Sequence, residues 1–162
     1  MPVPTAHYIA GMRRLAAGVT IVTTGLGELR AGLTATSVCS LTAEPPRLLV
    51  CVHRDADTHD IILQSRVFAV NVLMSSQREL ADHFGRRDTS PALDKFVLGE
   101  WTRGSTGAPV LLGAAANFEC GLVEAVEAST HTILIGEIEA ARFDEGASAL
   151  VYHDRTYHRL PG

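Results

Sequence analysis

The sequence has few cysteines, few aromatic residues and no long apolar run. It has three cysteines, an odd number, and no two of them have the C-x-x-C spacing of zinc or redox motifs. We therefore expect no disulfide framework, and three thiols that stay reduced in a cytoplasmic protein and behave as small core residues. No apolar run reaches the roughly 18 residues that a membrane helix needs. The N-terminal residues lack the pattern of a secretory signal, so neither export nor a membrane partner is expected.

The chain also lacks an excess of positive charge. It has 14 Lys and Arg against 18 Asp and Glu, which gives a formal net charge of −4. This balance gives no electrostatic reason to expect nucleic acid or an anionic membrane as a partner. Hydrophobic residues make up 46% and charged residues 20% of the chain, as in an ordered globular protein. Its 162 residues predict one domain over 1–162.

The common motifs of nucleotide, hydrolase and metal sites are missing. The stretch Gly25-Leu-Gly-Glu-Leu-Arg30 begins like the Rossmann fingerprint but lacks its third glycine and lies between two predicted strands. No Walker A, H-E-x-x-H or G-x-S-x-G motif occurs. The seven histidines have no ligand spacing and no clear cysteine or carboxylate partner, so we expect no metal site.

Hydrophobic periodicity predicts a mainly β protein with a few helices. Helices are expected from Thr5 to Gly18, from Asp57 or Thr58 to Ser65, and from Ser76 onward. A long excursion over the surface is expected at 85–108. Strands are predicted at 19–24, 29–36, 47–52, 67–73, 114–127, 131–143 and 150–152, and residues 157–160 close the chain. Because regular βαβ alternation is absent and most connections are short, the pattern favours an antiparallel barrel over a doubly wound sheet.

Two polar stretches are candidates for ligand binding. Within 31–40, Gly32 permits close approach of the backbone, and Thr34, Thr36 and Ser37 offer hydroxyl groups along a strand. Such a strand suits a planar ligand rich in hydrogen-bond acceptors, although an ordinary Ser/Thr-rich turn has the same composition. In 53–59, Arg54 and the Thr58 hydroxyl precede or begin a predicted helix, where an anion is favoured. A solvated capping loop is the alternative there, and the two aspartates of this stretch favour it.

Several segments, in order along nearly the whole chain, resemble the short-chain flavin reductase family. The first ones are Gly18-Val-Thr-Ile-Val-Thr-Thr24, Gly32-Leu-Thr-Ala-Thr-Ser-Val-Cys-Ser-Leu41 and Pro45-Pro46. The later ones are Ser65-Arg-Val-Phe-Ala-Val-Asn-Val-Leu73, Asp94-Lys-Phe96, Gly107-Ala-Pro-Val-Leu111, Phe118-Glu-Cys120, His131-Thr-Ile-Leu-Ile-Gly136, and Leu150-Val-Tyr152 with Tyr157. Each segment is weak alone, and together they are specific for the family.

The resemblance implies an FMN-binding split β-barrel, usually a homodimer, that oxidises NADH or NADPH and reduces FMN or FAD. It also implies a flavin-dependent monooxygenase as the partner that receives the reduced flavin. The isoalloxazine ring would lie along Thr34, Ala35, Thr36 and Ser37. The ribityl phosphate would be held by Cys51, Val52, His53, Arg54, Thr58 and His59. The pocket would be bordered by Phe84 and Gly85, with Tyr152 and Tyr157 as further candidates.

The resemblance places His131, the candidate catalytic residue, near the nicotinamide side of the flavin. The family often has Gly-Asp before this histidine, whereas Ser129 and Thr130 stand here. Since the acidic residue is missing, a positioning role fits His131 better than acid–base catalysis. A strand-end histidine without a role is the alternative.

One alternative is a ligand-independent interaction domain, in which the hydroxyl-rich strand and the 53–59 loop would be a coincidence. Two other functions stay open on the same barrel. One is a non-catalytic module that binds flavin or carries electrons. The other is an oxidase of the pyridoxamine-phosphate type, which normally has more basic residues around a second phosphate than the 53–59 loop provides. The residues do not distinguish FMN from FAD or NADH from NADPH.

Overall fold

The computed structural model describes residues 1–86 and 94–160. In these parts of the chain the helices are α1 (Thr5–Met12), α2 (Asp57–Ser65) and α3 (Arg78–Gly85), and a short 3-10 helix covers Lys95–Val97. The strands are β1 (Ala17–Gly18), β2 (Thr20–Leu26), β3 (Leu29–Ala35), β4 (Val38–Ala43), β5 (Pro46–His53), β6 (Val67–Val72), β7 (Trp101–Arg103), β8 (Pro109–Leu111), β9 (Ala116–Ala128), β10 (His131–Phe143), β11 (Leu150–His153) and β12 (Thr156–Arg159). None of these helices is long and apolar enough to cross a membrane.

A seven-stranded antiparallel sheet forms the body of the protein, in the order β3-β2-β6-β9-β10-β5-β4. Along several of its strands, buried and less buried side chains alternate, so that one face of the sheet covers the core. In β5, Leu48, Val50 and Val52 are at most 4% exposed, whereas the residues between them are only half-buried. The sheet confirms the expected mainly β, antiparallel architecture. A separate three-stranded sheet, β1-β11-β12, carries the C-terminal hairpin.

The two edge strands of the large sheet are consecutive in the chain. Only Thr36 and Ser37 separate β3 from β4, although five other strands lie between them in the sheet. Three Cα steps span at most about 11 Å, so the sheet has to curve until its edges meet. The Ser37 hydroxyl donates to the Cys51 carbonyl at 2.9 Å, and the Cys51 N–H donates to the Ser37 carbonyl at 3.1 Å. We call Thr36 and Ser37 the strand junction.

Two apolar clusters fill the protein. The first lies inside the curved sheet, where Phe68, Val70 and Leu134 are fully buried. The second lies between the sheet, α3 and the C-terminal hairpin. It includes Phe84 and Phe96, and Trp101 packs against it. The three rings of this cluster have centroids 5.0 to 5.3 Å apart. The second cluster therefore fixes α3 and the hairpin against the same end of the sheet.

Several element boundaries differ from the sequence predictions. Helix α1 ends at Met12 instead of continuing toward Gly18, and Pro4, not Thr5, is its N-cap. The sequence predicts no strand at β4. Its residues from Cys39 onward are exposed, so no alternation marks it, and pairing with β5 is what forms it. Ala56 precedes α2 as its N-cap, without a side-chain hydrogen bond.

The segment 85–108 is not a simple surface excursion. Part of that expectation, at 87–93, lies outside the described residues. The remainder contains the 3-10 helix and β7, which pairs with β8. Phe96 is 6% exposed, and Trp101 packs on it. Isolated aromatic residues among polar ones produce no periodic pattern, which explains why the sequence did not reveal this anchoring.

The three cysteines lie in different environments. Cys120 is buried, Cys51 is half-buried and Cys39 is exposed, and all three are free thiols. The expectation that all three are core residues therefore holds for Cys120 alone. Burial, with the nearby carboxylates of Glu139 and Glu119, raises the pKa of the Cys120 thiol to about 12. This thiol is neutral and protected from reaction.

A buried amide network joins β2, β6, β8 and β9. Asn71 is fully buried, and its Nδ2 donates to the Ile21 carbonyl at 3.0 Å. Its Oδ1 accepts from the Leu111 N–H and from Asn117 Nδ2, both at 2.9 Å. Asn117 Nδ2 also donates to the Leu111 carbonyl at 3.1 Å. The network fixes β8 to the sheet, because each broken bond would leave a buried polar group unpaired.

We expect Asn71→Ala to destabilise the protein by about 2–3 kcal/mol, because the Leu111 N–H would lose its acceptor in a buried site. The melting temperature should fall by roughly 5–10 °C for a domain of this size. Thermal unfolding followed by circular dichroism measures the change. Ser40→Ala, at an exposed position of β4, is the control and should unfold like the wild type. Equal melting temperatures for Asn71→Ala and the wild type would contradict the role of this network.

Candidate functional site

The first pocket lies between β3, α3 and the C-terminal hairpin, and we call it the tyrosine pocket. Its volume is about 260 Å³. Five of its residues were predicted from the sequence, namely Thr34, Thr36, Gly85, Tyr152 and Tyr157. The other residues that line it are Val19, Ala81 and Asp82. The fold thus joins three stretches that lie far apart in the chain into one concave, mostly apolar surface.

The floor of the tyrosine pocket is tied to α3. The Thr34 hydroxyl donates to the Ala81 carbonyl at 2.7 Å, so it is occupied within the protein, whereas Thr36 is exposed. Gly32 permits a close approach, as predicted, but of another side chain. A Cβ built there would lie 2.9 Å from Cε1 of Phe84. The absence of a side chain at Gly32 therefore makes room for the Phe84 ring, and this corrects the expectation that it makes room for a ligand.

A pair of tyrosines from the C-terminal hairpin lines the same pocket. The rings of Tyr152 and Tyr157 have centroids 5.1 Å apart, and the Arg78 guanidinium lies 5.5 Å from the Tyr157 ring. Burial, together with the charge of Asp82 and a hydrogen bond to its carboxylate, raises the pKa of Tyr157 to about 12. Asp82 also pairs with Arg78, with 3.6 Å between Oδ2 and Nε. The pocket therefore has a neutral phenol beside a carboxylate.

The motif Asp94-Lys-Phe96 anchors the rim of this pocket. The Lys95 ammonium donates to the carbonyls of Phe84 and Arg86, both at 3.1 Å. These two hydrogen bonds cap the C-terminal end of α3. Burial lowers the pKa of Lys95, and the Asp57 carboxylate acts in the opposite direction. Asp94 pairs with Arg30 at 2.8 Å. Gly85, between the two carbonyls, is held in place by these contacts.

The second pocket lies at the far end of β5, and we call it the histidine pocket. Its volume is about 410 Å³. It is lined by His53, Arg54, Asp55, His59, Asp60, Ser129 and Thr130. The residues His53, Arg54 and His59 were predicted from the sequence. The strand junction lies next to both pockets, since Thr36 lines the tyrosine pocket and Ser37 bonds to Cys51, two residues before His53.

His131 lies beside the histidine pocket, at the start of β10. It is the cross-strand partner of His53, and the two rings meet edge to face with centroids 4.9 Å apart. Its Nδ1 is 2.9 Å from the Thr130 hydroxyl. Thr130 therefore orients the ring by a hydrogen bond, without adding the charge of an acidic residue. Ser129 adopts a φ of 54°, a left-handed conformation that favours glycine, which the family often has here.

Two residues predicted to contact the phosphate, Thr58 and His59, have buried side chains. Thr58 is 3% exposed and does not line the histidine pocket. His59 is 5% exposed, with Nε2 2.9 Å from the Thr132 hydroxyl and Nδ1 2.7 Å from Asp60 Oδ1. Both ring nitrogens of His59 thus have partners inside the protein. Its position at the pocket depends on this pairing, which fastens α2 to β10.

Other predicted residues support the site from behind. Ala35 and Val52 are 8% and 0% exposed and belong to the core of the sheet. Phe84 is 1% exposed and lies in the aromatic cluster, so it does not line the tyrosine pocket. The side chains of these three residues are buried and line neither pocket. Their hydrophobicity places the neighbouring polar residues at the surface.

Sequence reasoning did not identify Asp82 or Glu127. Asp82 is next to the apolar face of α3 that the sequence predicts, but its charge gave no reason to place it in a pocket. Glu127 lies on β9, and its carboxylate is 3.5 Å from the Arg54 guanidinium. No local signal connects residues so distant in the chain. The pairing of β9, β10 and β5 brings them together.

Comparison with known proteins identifies the class to which this fold and site belong. A family model described as a flavin reductase like domain matches residues 12–161. The FMN reductase (NADH) RutF of Stutzerimonas stutzeri is 42% identical over 159 residues, which cover 98% of this chain and 90% of the relative. The 4-hydroxyphenylacetate 3-monooxygenase reductase component of Pseudomonas aeruginosa is 37% identical over 149 residues, or 92% and 88% of the two chains.

The fold of a solved reductase structure matches that of this chain. The NADH:FAD oxidoreductase SgcE6 of Streptomyces globisporus C-1027 superposes with a TM-score of 0.91, at 32% identity, over 100% of this chain and 96% of that one. The described fold is therefore that of a flavin reductase. The chain belongs to the flavin reductase-like family, as the sequence motifs predict.

We expect Tyr157 to stay neutral well above pH 10, its ordinary pKa, because burial and Asp82 disfavour the phenolate. The neutral phenol then stabilises the fold below pH 10, and this contribution is lost as the pH rises toward 12. Ultraviolet absorbance of tyrosinate during a pH titration measures the ionisation. Asp82→Asn should lower the Tyr157 midpoint without restoring the ordinary value, since burial is the larger cause.

Two variants assign the ionisation at high pH to Tyr157. Tyr157→Phe should remove the late ionisation, whereas Tyr8→Phe, at an exposed residue of α1, should leave it in place. An Asp82→Asn protein with an unchanged midpoint would show that the carboxylate does not act on Tyr157.

Proposed function

We propose that the protein is an NAD(P)H-dependent flavin reductase that transfers hydride from a nicotinamide to FMN or FAD. The single observation that carries this is the connection of two unlike pockets through one strand junction. One pocket has flat aromatic and apolar walls, and the other contains an arginine. A flavin nucleotide has the same division into a planar ring and an anionic phosphate. One relative is named as an FMN reductase that uses NADH and another as the reductase component of a monooxygenase, and both names support an enzyme over a flavin carrier or an oxidase.

The isoalloxazine ring is proposed to occupy the tyrosine pocket. The Thr36 hydroxyl is exposed at its edge, and the backbone of the strand junction continues the same surface. The ring is planar and carries hydrogen-bond acceptors, so it fits a strand edge that offers hydroxyl and N–H groups. Tyr152 and Tyr157 give it an aromatic wall, and Gly85 leaves the rim without a side chain.

The flavin phosphate is proposed to bind in the histidine pocket. Arg54 supplies a guanidinium there, which pairs well with phosphate oxygens. Nδ1 of His53 accepts from the Asp55 N–H at 3.1 Å, which orients the His53 ring toward the same loop. Thr58 and His59 contribute by holding α2 in position, since their side chains are buried.

The chain's own residues bind and orient the reactants. A bound flavin supplies the hydride acceptor, and the nicotinamide supplies the hydride, so no side chain has to donate a proton in this step. The protein has to hold the two rings close together and exclude water from between them. The Thr36 hydroxyl and the backbone N–H groups of the strand junction would stabilise the charge that reduction adds to a bound flavin ring, whereas the Ser37 hydroxyl already donates to the Cys51 carbonyl.

His131 is proposed to position the nicotinamide. Its Nδ1 is engaged by Thr130, so Nε2 is the nitrogen left to bond the substrate amide. The edge of the His53 ring restricts the imidazole further. Because Thr130 cannot ionise as an aspartate does, it orients the ring without raising its basicity. This supports positioning over acid–base catalysis.

The curved sheet is proposed to close into a split barrel, and the protein is proposed to form a homodimer. The strand junction supports the closure, since it joins the two sheet edges. The helix α1 has no buried residue, although Ile9 and Met12 are apolar and 42% and 45% exposed. Apolar surface of this kind is usually covered by a partner. A flavin-dependent monooxygenase is the proposed receiver of the reduced flavin, as the name of the Pseudomonas aeruginosa relative suggests.

The purified protein is expected to oxidise NADH or NADPH at a rate that rises and saturates with added FMN or FAD. The absorbance of the reduced nucleotide gives the rate, without flavin and then with each flavin and with riboflavin. The same measurements identify the preferred flavin and nucleotide. Flavin binding without nucleotide oxidation would overturn the proposal.

We expect His131→Ala to lower kcat/KM for the nucleotide by about ten-fold, the effect of losing one hydrogen bond of roughly 1.4 kcal/mol. The dissociation constant for FMN should not change, because the ring and phosphate sites are intact. Steady-state kinetics and FMN fluorescence titration measure the two quantities. His7→Ala, at an exposed residue of α1, is the control. Equal weakening of both substrates would instead indicate damage to the whole site.

A further inference from the structure

The charges around the histidine pocket oppose tight binding of an anion. Arg54 is the one lysine or arginine that lines it within residues 1–86 and 94–160. Asp55 and Asp60 line the same pocket, and the Glu127 carboxylate faces it from β9. The histidines of the pocket are held by neutral or acidic neighbours. A phosphate group there meets one guanidinium and three carboxylates, which is an unfavourable balance.

The arginine itself is already paired. The guanidinium Nη1 of Arg54 lies 3.5 Å from Oε2 of Glu127, with the two side chains 45% and 72% exposed. The backbone is fixed as well, because the Arg54 N–H donates to the Thr130 carbonyl at 3.0 Å. Strand pairing places the Glu127 carboxylate next to Arg54. Glu127 is opposite Thr132 on β10, and Thr132 is opposite Val52 on β5, two residues before Arg54.

We propose that Glu127 competes with the flavin phosphate for Arg54 and thereby sets how readily the flavin leaves. This inference rests on the proposed function, in which the phosphate binds in the histidine pocket. The exposed pair is weak, so a phosphate displaces it, but each binding event loses the energy of the pair. The Arg54–Glu127 pair is a single contact at 3.5 Å, whereas a phosphate can accept two parallel bonds from the guanidinium and carries more charge, so the phosphate displaces the carboxylate. Glu127 is thus a specificity residue that weakens binding of phosphorylated flavins without touching the ring.

The test compares FMN with riboflavin, which has the same ring and no phosphate. Equilibrium titrations at low ionic strength, followed by flavin fluorescence, give dissociation constants for the wild type, Glu127→Gln, Arg54→Gln and the double variant. Low salt keeps the exposed charges unscreened. Glu124→Gln is the control, at an exposed glutamate of the same strand. Thermal unfolding of each protein verifies that the fold is retained.

We expect Glu127→Gln to tighten FMN binding by about two- to five-fold, the range for an exposed ion pair, and to leave riboflavin binding unchanged. The slower release of FMN should be visible by stopped-flow dilution. Arg54→Gln should weaken FMN binding, and in that background Glu127→Gln should tighten it less than it does when Arg54 is present, because only the direct repulsion between carboxylate and phosphate is then removed. Glu124→Gln should bind both flavins like the wild type.

Other outcomes separate the two proposals. If Arg54→Gln weakens FMN binding while Glu127→Gln changes nothing, the competition is overturned and the phosphate site stands. Equal tightening of FMN and riboflavin, or equal tightening in Glu124→Gln, would also overturn it, because the effect would not act through the phosphate. If Arg54→Gln leaves FMN binding unchanged, the phosphate is not in the histidine pocket, and both the inference and that part of the proposed function are wrong.

Discussion

The architecture depends on the two residues that join opposite edges of the large sheet. Thr36 and Ser37 leave no room for a flat arrangement, because β3 and β4 are separated by five strands in the sheet and by two residues in the chain. The sheet has to curve, and the hydrogen bonds between Ser37 and Cys51 hold the curvature at that point. The apolar interior then fills the curved sheet. Both pockets open near this connection, so the geometry of any ligand that spans them is set by the same constraint.

The two pockets differ in their electrostatics, and the difference suits a ligand that has to leave. The tyrosine pocket presents ring faces, a neutral phenol and a single carboxylate, with its rim held by the Lys95 cap on α3. The histidine pocket presents an arginine among acidic neighbours. Apolar contact can therefore orient a planar ring firmly while the charged end is held weakly. This arrangement fits the proposal that the flavin is released to a separate oxygenase and acts as a substrate as much as a cofactor.

Much of the fold follows from local patterns in the sequence. The strand β10 is predicted at the residues where it occurs, and β6 and β9 differ from the prediction only at their ends, since β-branched residues and alternation mark them. The hydroxyl-rich stretch that includes Thr34 and Thr36 was identified as a binding surface, and both residues line the tyrosine pocket. Strands such as β4, β7 and β8 were missed because they are short or exposed. Their formation depends on a partner strand, and no periodicity within them reveals it.

The sequence by itself determined that the protein is globular, that its architecture is mainly antiparallel β, and to which family it belongs. It also supplied most of the candidate site residues. These properties depend on side-chain periodicity and on short motifs, which are local. Tertiary structure alone decided which of those residues line a pocket and which are buried behind it. It turned Thr58 and His59 inward, placed Phe84 against Gly32, and brought Glu127 to Arg54. Burial and long-range pairing depend on how strands far apart in the chain are aligned, and that alignment results from packing the whole core.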